Sequence, residues 1–234
     1  MKAYKSLSVL FVLFALLASC SSEKKKLLMP DSTRWTDQDI PLNELDTVNI
    51  NIDSINIADE MRKLFPPSDS LIEGRPVSYY LNRADVSLTA KNFYLLRFIP
   101  TVNKATESIC DSLLSRDDTT RPFYYFLFLR LNRISDGALA EMLPDYALSY
   151  STQFVDEFYK KIHLPQYKHT YMNWVHYVSY MVWNSLDKGE KNTDSNEVRQ
   201  YIINKQTQNA KRLTPSLRRD IEKFADDVAA NPND

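Results

Sequence analysis

The sequence predicts an all-α, multi-helix domain that follows an irregular N-terminal segment, and three features predict it. Pro76, Pro122, Pro165 and Pro215 each stand before an apolar run with helical spacing. Proline suits the first helical position, where its missing N–H costs nothing. Leu217, Ile221, Phe224 and Val228 form one clean apolar stripe, with Thr214 placed to cap it. Asp194, followed three residues later by Glu197, reads as a capping box that opens a further helix.

The remaining elements follow in chain order. Residues 35–51 read as irregular or extended, and Val48, Ile50 and Ile52 alternate as in a short strand. A helix ending near Phe65 is stopped by Pro66-Pro67. Thr89 is placed to cap a long segment carrying Phe93, Leu96, Ile99, Val102, Ile109 and Leu113, which Pro100 kinks or splits. Phe123 to Leu129 is apolar all round, as expected of a central helix covered by its neighbours. Arg75-Pro76 with Tyr79 and Leu81 recurs as Arg121-Pro122 with Tyr125 and Leu127, and each unit leads into a longer helix holding Pro100 or Pro144. That spacing suits stacked helical pairs, although four matched residues carry little weight.

Of 234 residues, 44% are hydrophobic and 25% charged, an ordinary globular balance that disfavours disorder. Glycine is scarce, with only Gly74, Gly137 and Gly189. A dinucleotide fingerprint or a P-loop needs several glycines close together, so neither is available.

Lys2 and Lys5 precede a twelve-residue run, Leu7 to Ala18, in which only Ser8 is polar; small residues and Cys20 follow. This is the order of an export signal, and the run is too short for the roughly 20 residues of a spanning helix. Leu17-Ala18-Ser19-Cys20 resembles the lipobox of bacterial lipoprotein precursors. The resemblance implies that residues 1–19 are removed, that Cys20 carries palmitate-type acyl chains, and that residues 20–34 tether a single domain, 35–234, to a membrane. Ser21 rather than aspartate implies sorting to the outer membrane, on its periplasmic face or at the cell surface. Lys24, Lys25 and Lys26 read as solvated linker, since three charges at roughly 1 kcal/mol each add little beside acyl chains. Lipidation leaves Cys110 alone, without an internal disulfide, and its spacing with Ala105, Ile109 and Leu113 places it in the core.

No catalytic or metal-binding constellation emerges, and no cofactor is implied. His163, His169 and His176 are the only histidines, and none has HExxH or paired-cysteine company. His169 and His176 lie two helical turns apart, roughly 10 Å, which is long for sharing a metal. Asp117-Asp118 and Asp226-Asp227 are sequence neighbours and point apart, so helix-end or solvated roles suit them better than acid–base work. No Gly-x-Ser-x-Gly elbow occurs.

The segment from about Pro165 to Leu186 stands out. Tyr167, Tyr171, Trp174, Val178 and Met181, widened by Val175 and Val182, form a core face. On the other side His169, Met172, His176, Tyr180 and Trp183 recur at helical intervals, where a half-buried helix normally carries charge. Sandwiching between neighbours is the favoured reading. The alternative is an exposed aromatic band, which would be a recognition surface or the wall of a ligand cleft.

Two functions are therefore expected. The first is a non-enzymatic, lipid-anchored docking subunit of an envelope assembly. In composition and tyrosine content the chain looks like envelope lipoproteins of Bacteroidota, a type VI secretion-associated lipoprotein among them. The second is a ligand-capturing lipoprotein, similar in role to the helical glycan-binding lipoproteins of the same bacteria. With Lys2 and Lys5 removed, 27 basic residues face 30 acidic ones, a net charge of about −3 that argues against nucleic acid.

Overall fold

The computed structural model describes residues 71–135, 137–186 and 194–231, all within the unit Trp35–Asp234. The export signal, Cys20, the tether, the 48–52 strand and the helix ending near Phe65 lie outside the described residues. The described residues form an all-α fold with one two-stranded exception. β1 (Leu71–Ile72) and β2 (Arg75–Pro76) make a minimal antiparallel hairpin, pairing Leu71 with Pro76 and Ile72 with Arg75. Its turn residues Glu73 and Gly74 have φ of 50° and 81°. Two left-handed residues in succession make the turn whose twist suits a two-residue hairpin.

Nine α-helices follow among the described residues. They are α1 (Val77–Leu81), α2 (Leu88–Tyr94), α3 (Lys104–Leu113), α4 (Arg121–Ile134), α5 (Gly137–Gln153), α6 (Val155–Ile162), α7 (Tyr171–Leu186), α8 (Ser195–Asn209) and α9 (Pro215–Ala229). Pro76, Pro122 and Pro215 stand at helix starts as expected. Thr214 caps α9 by accepting from the Leu217 N–H, and Asp194 caps α8 by accepting from the Asn196 N–H.

Three expectations need correction. The cap of α2 is Ser87, two residues before Thr89, and it accepts from the Ala90 N–H. The long segment expected from Thr89 is split into two helices, one of the two outcomes expected, but the break is set at Leu96 rather than at Pro100. Leu96 turns left-handed, with φ of 59°, and the Arg97 and Leu96 N–H groups bond back to the carbonyls of Asn92 and Phe93. That is a Schellman stop, with leucine where glycine is usual, and it ends α2 before Pro100 is reached. Pro165 does not open α7. It sits in a chain of tight turns (Tyr167 N–H to Leu164, Thr170 N–H to Tyr167) that passes through a 3₁₀ turn, Lys168–Thr170, so the helix begins at Tyr171.

The two repeat-like units also differ in the fold. Pro76 is followed by a five-residue helix and Pro122 by most of a fourteen-residue one. Pro100 lies between helices, whereas Pro144 is buried inside α5. Helices do pair, however: α8 packs along α9, α5 along α7, and α3 along α4.

The core is aromatic. Trp174 of α7 lies with its ring centre 5.7 Å from Tyr125 and 5.3 Å from Phe128 of α4, 5.6 Å from Tyr150 of α5, and 5.3 Å from Phe158 of α6. Phe224 of α9 meets Phe158 edge-on at 5.2 Å. Contacts of this kind are worth about 0.5–1.5 kcal/mol per pair beyond area burial, so one tryptophan joins four helices. In α4 every residue from Phe123 to Leu131 except Phe126 is buried, in line with its all-round apolar sequence. Cys110 is fully buried, and burial pushes its thiol up to about 12.

Candidate functional site

The tip of the hairpin, the first turn of α4 and both turns of α6 enclose a charged network. Lys161 of α6, 2% exposed, donates to the Glu73 carboxylate. The same ammonium lies 3.5 Å from Glu157 and 4.6 Å from the centre of the Tyr125 ring. Glu157, one helical turn before Lys161, receives Arg121 Nε at 2.7 Å and Nη2 at 2.6 Å on one oxygen, and the Tyr150 hydroxyl at 2.9 Å on the other. Burial raises the Glu157 carboxyl, but Arg121 and Lys161 more than offset this and leave it below the ordinary range. The third Arg121 nitrogen, Nη1, donates to the Ser115 carbonyl at 2.7 Å, and the guanidinium lies 4.3 Å over the Phe154 ring. These groups join the hairpin, α4, α5 and α6.

Beside this network a cleft of about 340 Å³ opens between the hairpin, α4 and the turn preceding α7. Phe126, Leu129, Arg130 and Arg133 line it from α4. Their spacing of three, four and seven residues puts them on one helical face. Leu71, Glu73 and Gly74 form the hairpin wall, and Gln166, Tyr167, His169 and Thr170 the opposite one. Arg130, 3% exposed, is fixed by its surroundings: Nη1 donates to the Tyr94 carbonyl at 2.8 Å, and the guanidinium lies 4.5 Å over Tyr94 and 4.7 Å over Phe126. Thr170 Oγ1 donates to the Tyr167 carbonyl at 2.7 Å. The lining thus sets the apolar side chains of Phe126, Leu129 and Leu71 beside arginine, amide and hydroxyl groups.

The five residues singled out on the predicted helix are not sandwiched, which corrects the favoured reading. His169, Met172 and His176 are exposed, Met172 to 60%, while Tyr180 and Trp183 are half-buried. α7 needs only one side for packing. Trp174, Val175, Tyr177, Val178 and Val182 are buried, with α5, α8 and α9 as its helical neighbours. The Trp183 indole N–H reaches the Val228 carbonyl at 3.4 Å, and Ser179 Oγ donates to the same carbonyl at 3.0 Å, tying α7 to the end of α9. Of the five, His169 lines the cleft; the others lie along α7 beyond it.

Two further hollows occur. One, between α3, α5 and α7, carries Glu107, Glu141 and Asp145 with Met142 and Met181. The other adjoins the pair formed by His163 and Asp220, 3.3 Å apart. All three histidines are exposed. Among the described residues no group of three or more His, Cys, Asp or Glu side chains could hold a metal ion, and no helix is long and apolar enough to cross a membrane. The paired aspartates serve helix ends and surfaces. Asp117 accepts from the Thr119 N–H at 2.9 Å, Asp226 pairs with Arg199 at 2.5 Å, and Asp227 receives Lys223 and the Tyr171 hydroxyl, both at 2.6 Å.

Sequence reasoning did not single out Glu73, Lys161, Arg130 or Arg133. A signal existed for one of them: Arg130 interrupts the apolar run from Phe123 to Leu131, and a charge there has to be stacked or paired. Set against known proteins, the chain matches no family model, no curated protein and no solved structure.

Proposed function

We propose that this protein is an exported lipoprotein, acylated on Cys20 and anchored to the outer membrane, whose helical domain is a non-enzymatic docking subunit of a secretion or other trans-envelope assembly, a type VI system among the candidates. The lipobox-like Leu17-Ala18-Ser19-Cys20 supports the anchor. The observation that carries the docking role is α7. Its sixteen residues, Tyr171–Leu186, include no Asp, Glu, Lys or Arg, yet one face of it is open to solvent. An uncharged exposed face carrying Met172, His176, Tyr180 and Trp183 suits an envelope protein that presents an equally uncharged, apolar patch. Such a partner gains by burying these side chains and strands no ion in doing so.

The test is a photo-crosslinking residue at position 172 of the full-length, membrane-anchored chain, combined with a Met172→Lys, His176→Glu double variant. One envelope protein crosslinked stoichiometrically, and lost from the double variant while its melting temperature is retained, is the expected result. Co-purification unchanged by the double variant overturns the assignment of the face. A Cys20→Ser chain that fractionates with membranes as the parent does overturns the anchor.

A second reading, capture of a small ligand, is favoured by one observation, the cleft of about 340 Å³ lined by both rings and arginines. That volume falls inside the usual range of ligand pockets, about 300–1,000 Å³.

A further inference from the structure

We infer that the turn joining α8 and α9, with the cations gathered around it, lies against the anionic headgroups of the bilayer to which the chain is anchored. The inference rests on the lipid anchor proposed above and adds a second, electrostatic contact made by the folded domain itself.

The charge is concentrated here by the sequence. Between Glu197 and Asp220 stand Arg199, Lys205, Lys211, Arg212, Arg218 and Arg219 and no acidic residue, in a chain whose formal net charge is −1. The fold then draws five of the six together. α8 and α9 pack along each other, and residues 210–214 join them. Lys211 and Arg212 belong to the join, while Lys205 and Arg219 are each about 6 Å from it along their helices, at 1.5 Å per residue. All five side chains are exposed.

The domain does not neutralise this tip. Among the described residues no carboxylate forms an ion pair with any of the five, whereas Arg199, further along α8, has Asp226 at 2.5 Å. Two bordering carboxylates are engaged elsewhere: Asp156 accepts from the Lys211 N–H at 2.8 Å, and Asp220 lies 3.3 Å from His163. The dipole of α9 opposes the arrangement as well. A helix N-terminus carries partial positive charge and favours acidic residues. The first turn of α9 has none; Arg218 ends that turn and Arg219 follows it. Cations crowded at the positive end of a helix weaken the domain on its own, and an anionic surface reverses the sign of that effect.

Two features select a bilayer over an acidic protein. A protein interface has an apolar centre, and the exposed large apolar residues among those described, Leu71, Leu88, Val102 and Met172, all lie outside this tip. Headgroup phosphates ask only for charge on long side chains, and each Lys or Arg near an anionic surface favours contact by about fivefold. Acylation of Cys20 also keeps every copy beside a bilayer, so the contact forms at high effective concentration. The acyl chains do the holding, and the tip sets which side of the domain faces the membrane.

The test uses the full chain, processed in cells and reconstituted on vesicles of phosphatidylcholine alone or mixed equally with phosphatidylglycerol. A fluorophore at Ser216→Cys, exposed beside the arginines, transfers energy to an acceptor carried on a lipid headgroup. Cys110 is buried and Cys20 acylated, so the dye goes to position 216. Stronger transfer on the anionic vesicles is expected. It should fall to the neutral-vesicle level in about 1 M salt, where the Debye length is about 3 Å, and in an Arg218→Glu, Arg219→Glu variant. That variant should melt at the parent temperature or above, because acidic residues suit this end of a helix, which separates lost contact from lost fold. Lys211→Glu, Arg212→Glu, in the turn and outside both helices, should act alike. Equal transfer on the two kinds of vesicle, or transfer that ignores the reversed charges, overturns the tip and leaves the anchor standing. Flotation with the anionic vesicles alone overturns the anchor and keeps the tip, and flotation with neither overturns both.

Discussion

Lys161 on α6 donates its ammonium hydrogens to Glu73 at the hairpin tip, 88 residues earlier in the chain. The bond is long-range, and its lysine end is dry. A buried cation of this kind costs several kcal/mol unless paired, so the hairpin is held by a requirement of α6 as well as by its own two-residue pairing.

The members of the network should not be equivalent. Glu73→Gln removes one of the two carboxylates near Lys161 and leaves Glu157 at 3.5 Å, so a loss of about 1–2 kcal/mol is expected. Glu157→Gln deprives both Arg121 and Lys161 of a partner and should cost about 3–5 kcal/mol. Urea denaturation followed by circular dichroism measures both, and an equal loss for the two variants would contradict this account of the network.

Acid should weaken the fold through two carboxylates. Hydrogen bonds from the Thr119 hydroxyl and N–H hold Asp117 down at about 2. Glu157 is held below its ordinary 4.5 by Arg121 and Lys161, against the upward push of its burial. Both are stronger acids folded than unfolded, so their contribution is complete above the unfolded values and is lost as pH falls through the folded ones. The urea midpoint should hold steady from these groups above about pH 5 and decline between roughly pH 4.5 and 2. Glu157→Gln should flatten the upper part of that decline.

Gly74→Ala tests the hairpin turn. Space does not decide the outcome, because a methyl group at Gly74 would meet no atom within 4 Å, but its φ of 81° does. A loss of about 1 kcal/mol is expected from backbone conformation alone. Thermal unfolding monitored at 222 nm would show it.

The Cys110 thiol is fully buried and pushed up to about 12, so it should not react in the folded protein. In a Cys20→Ser background, labelling with a thiol-specific disulfide reagent at pH 8 should be negligible without denaturant and stoichiometric in guanidinium. Rapid labelling of the native chain would place Cys110 at the surface.

Helices were legible wherever the apolar period and a cap or proline agreed, as at Pro215 with Thr214 and at Asp194. Where the two signals came apart, the reading slipped. Leu96 looks like one more apolar position in a helix, and nothing local marks it as a left-handed stop, a role usually taken by glycine. Pro165 has the composition of a helix start but is spent in a turn that lets Tyr167 reach the core. The α7 stripe was visible as a pattern. Its exposure was not, because the number of neighbours a helix has is decided by elements far away in sequence. The cleft was invisible for the same reason, since its three walls come from residues 71–74, 126–133 and 166–170.

The left-handed turn at Glu73 and Gly74 bears on how the domain meets a mechanical pull. Any tension arriving along the chain from residue 70 enters the helices through Leu71 and Ile72. The Glu73 carboxylate sits between that point and α1, gripped by an ammonium that has no water to turn to. Extension should therefore stall at this clasp and then yield in one step, where a bare two-residue hairpin would fray at once.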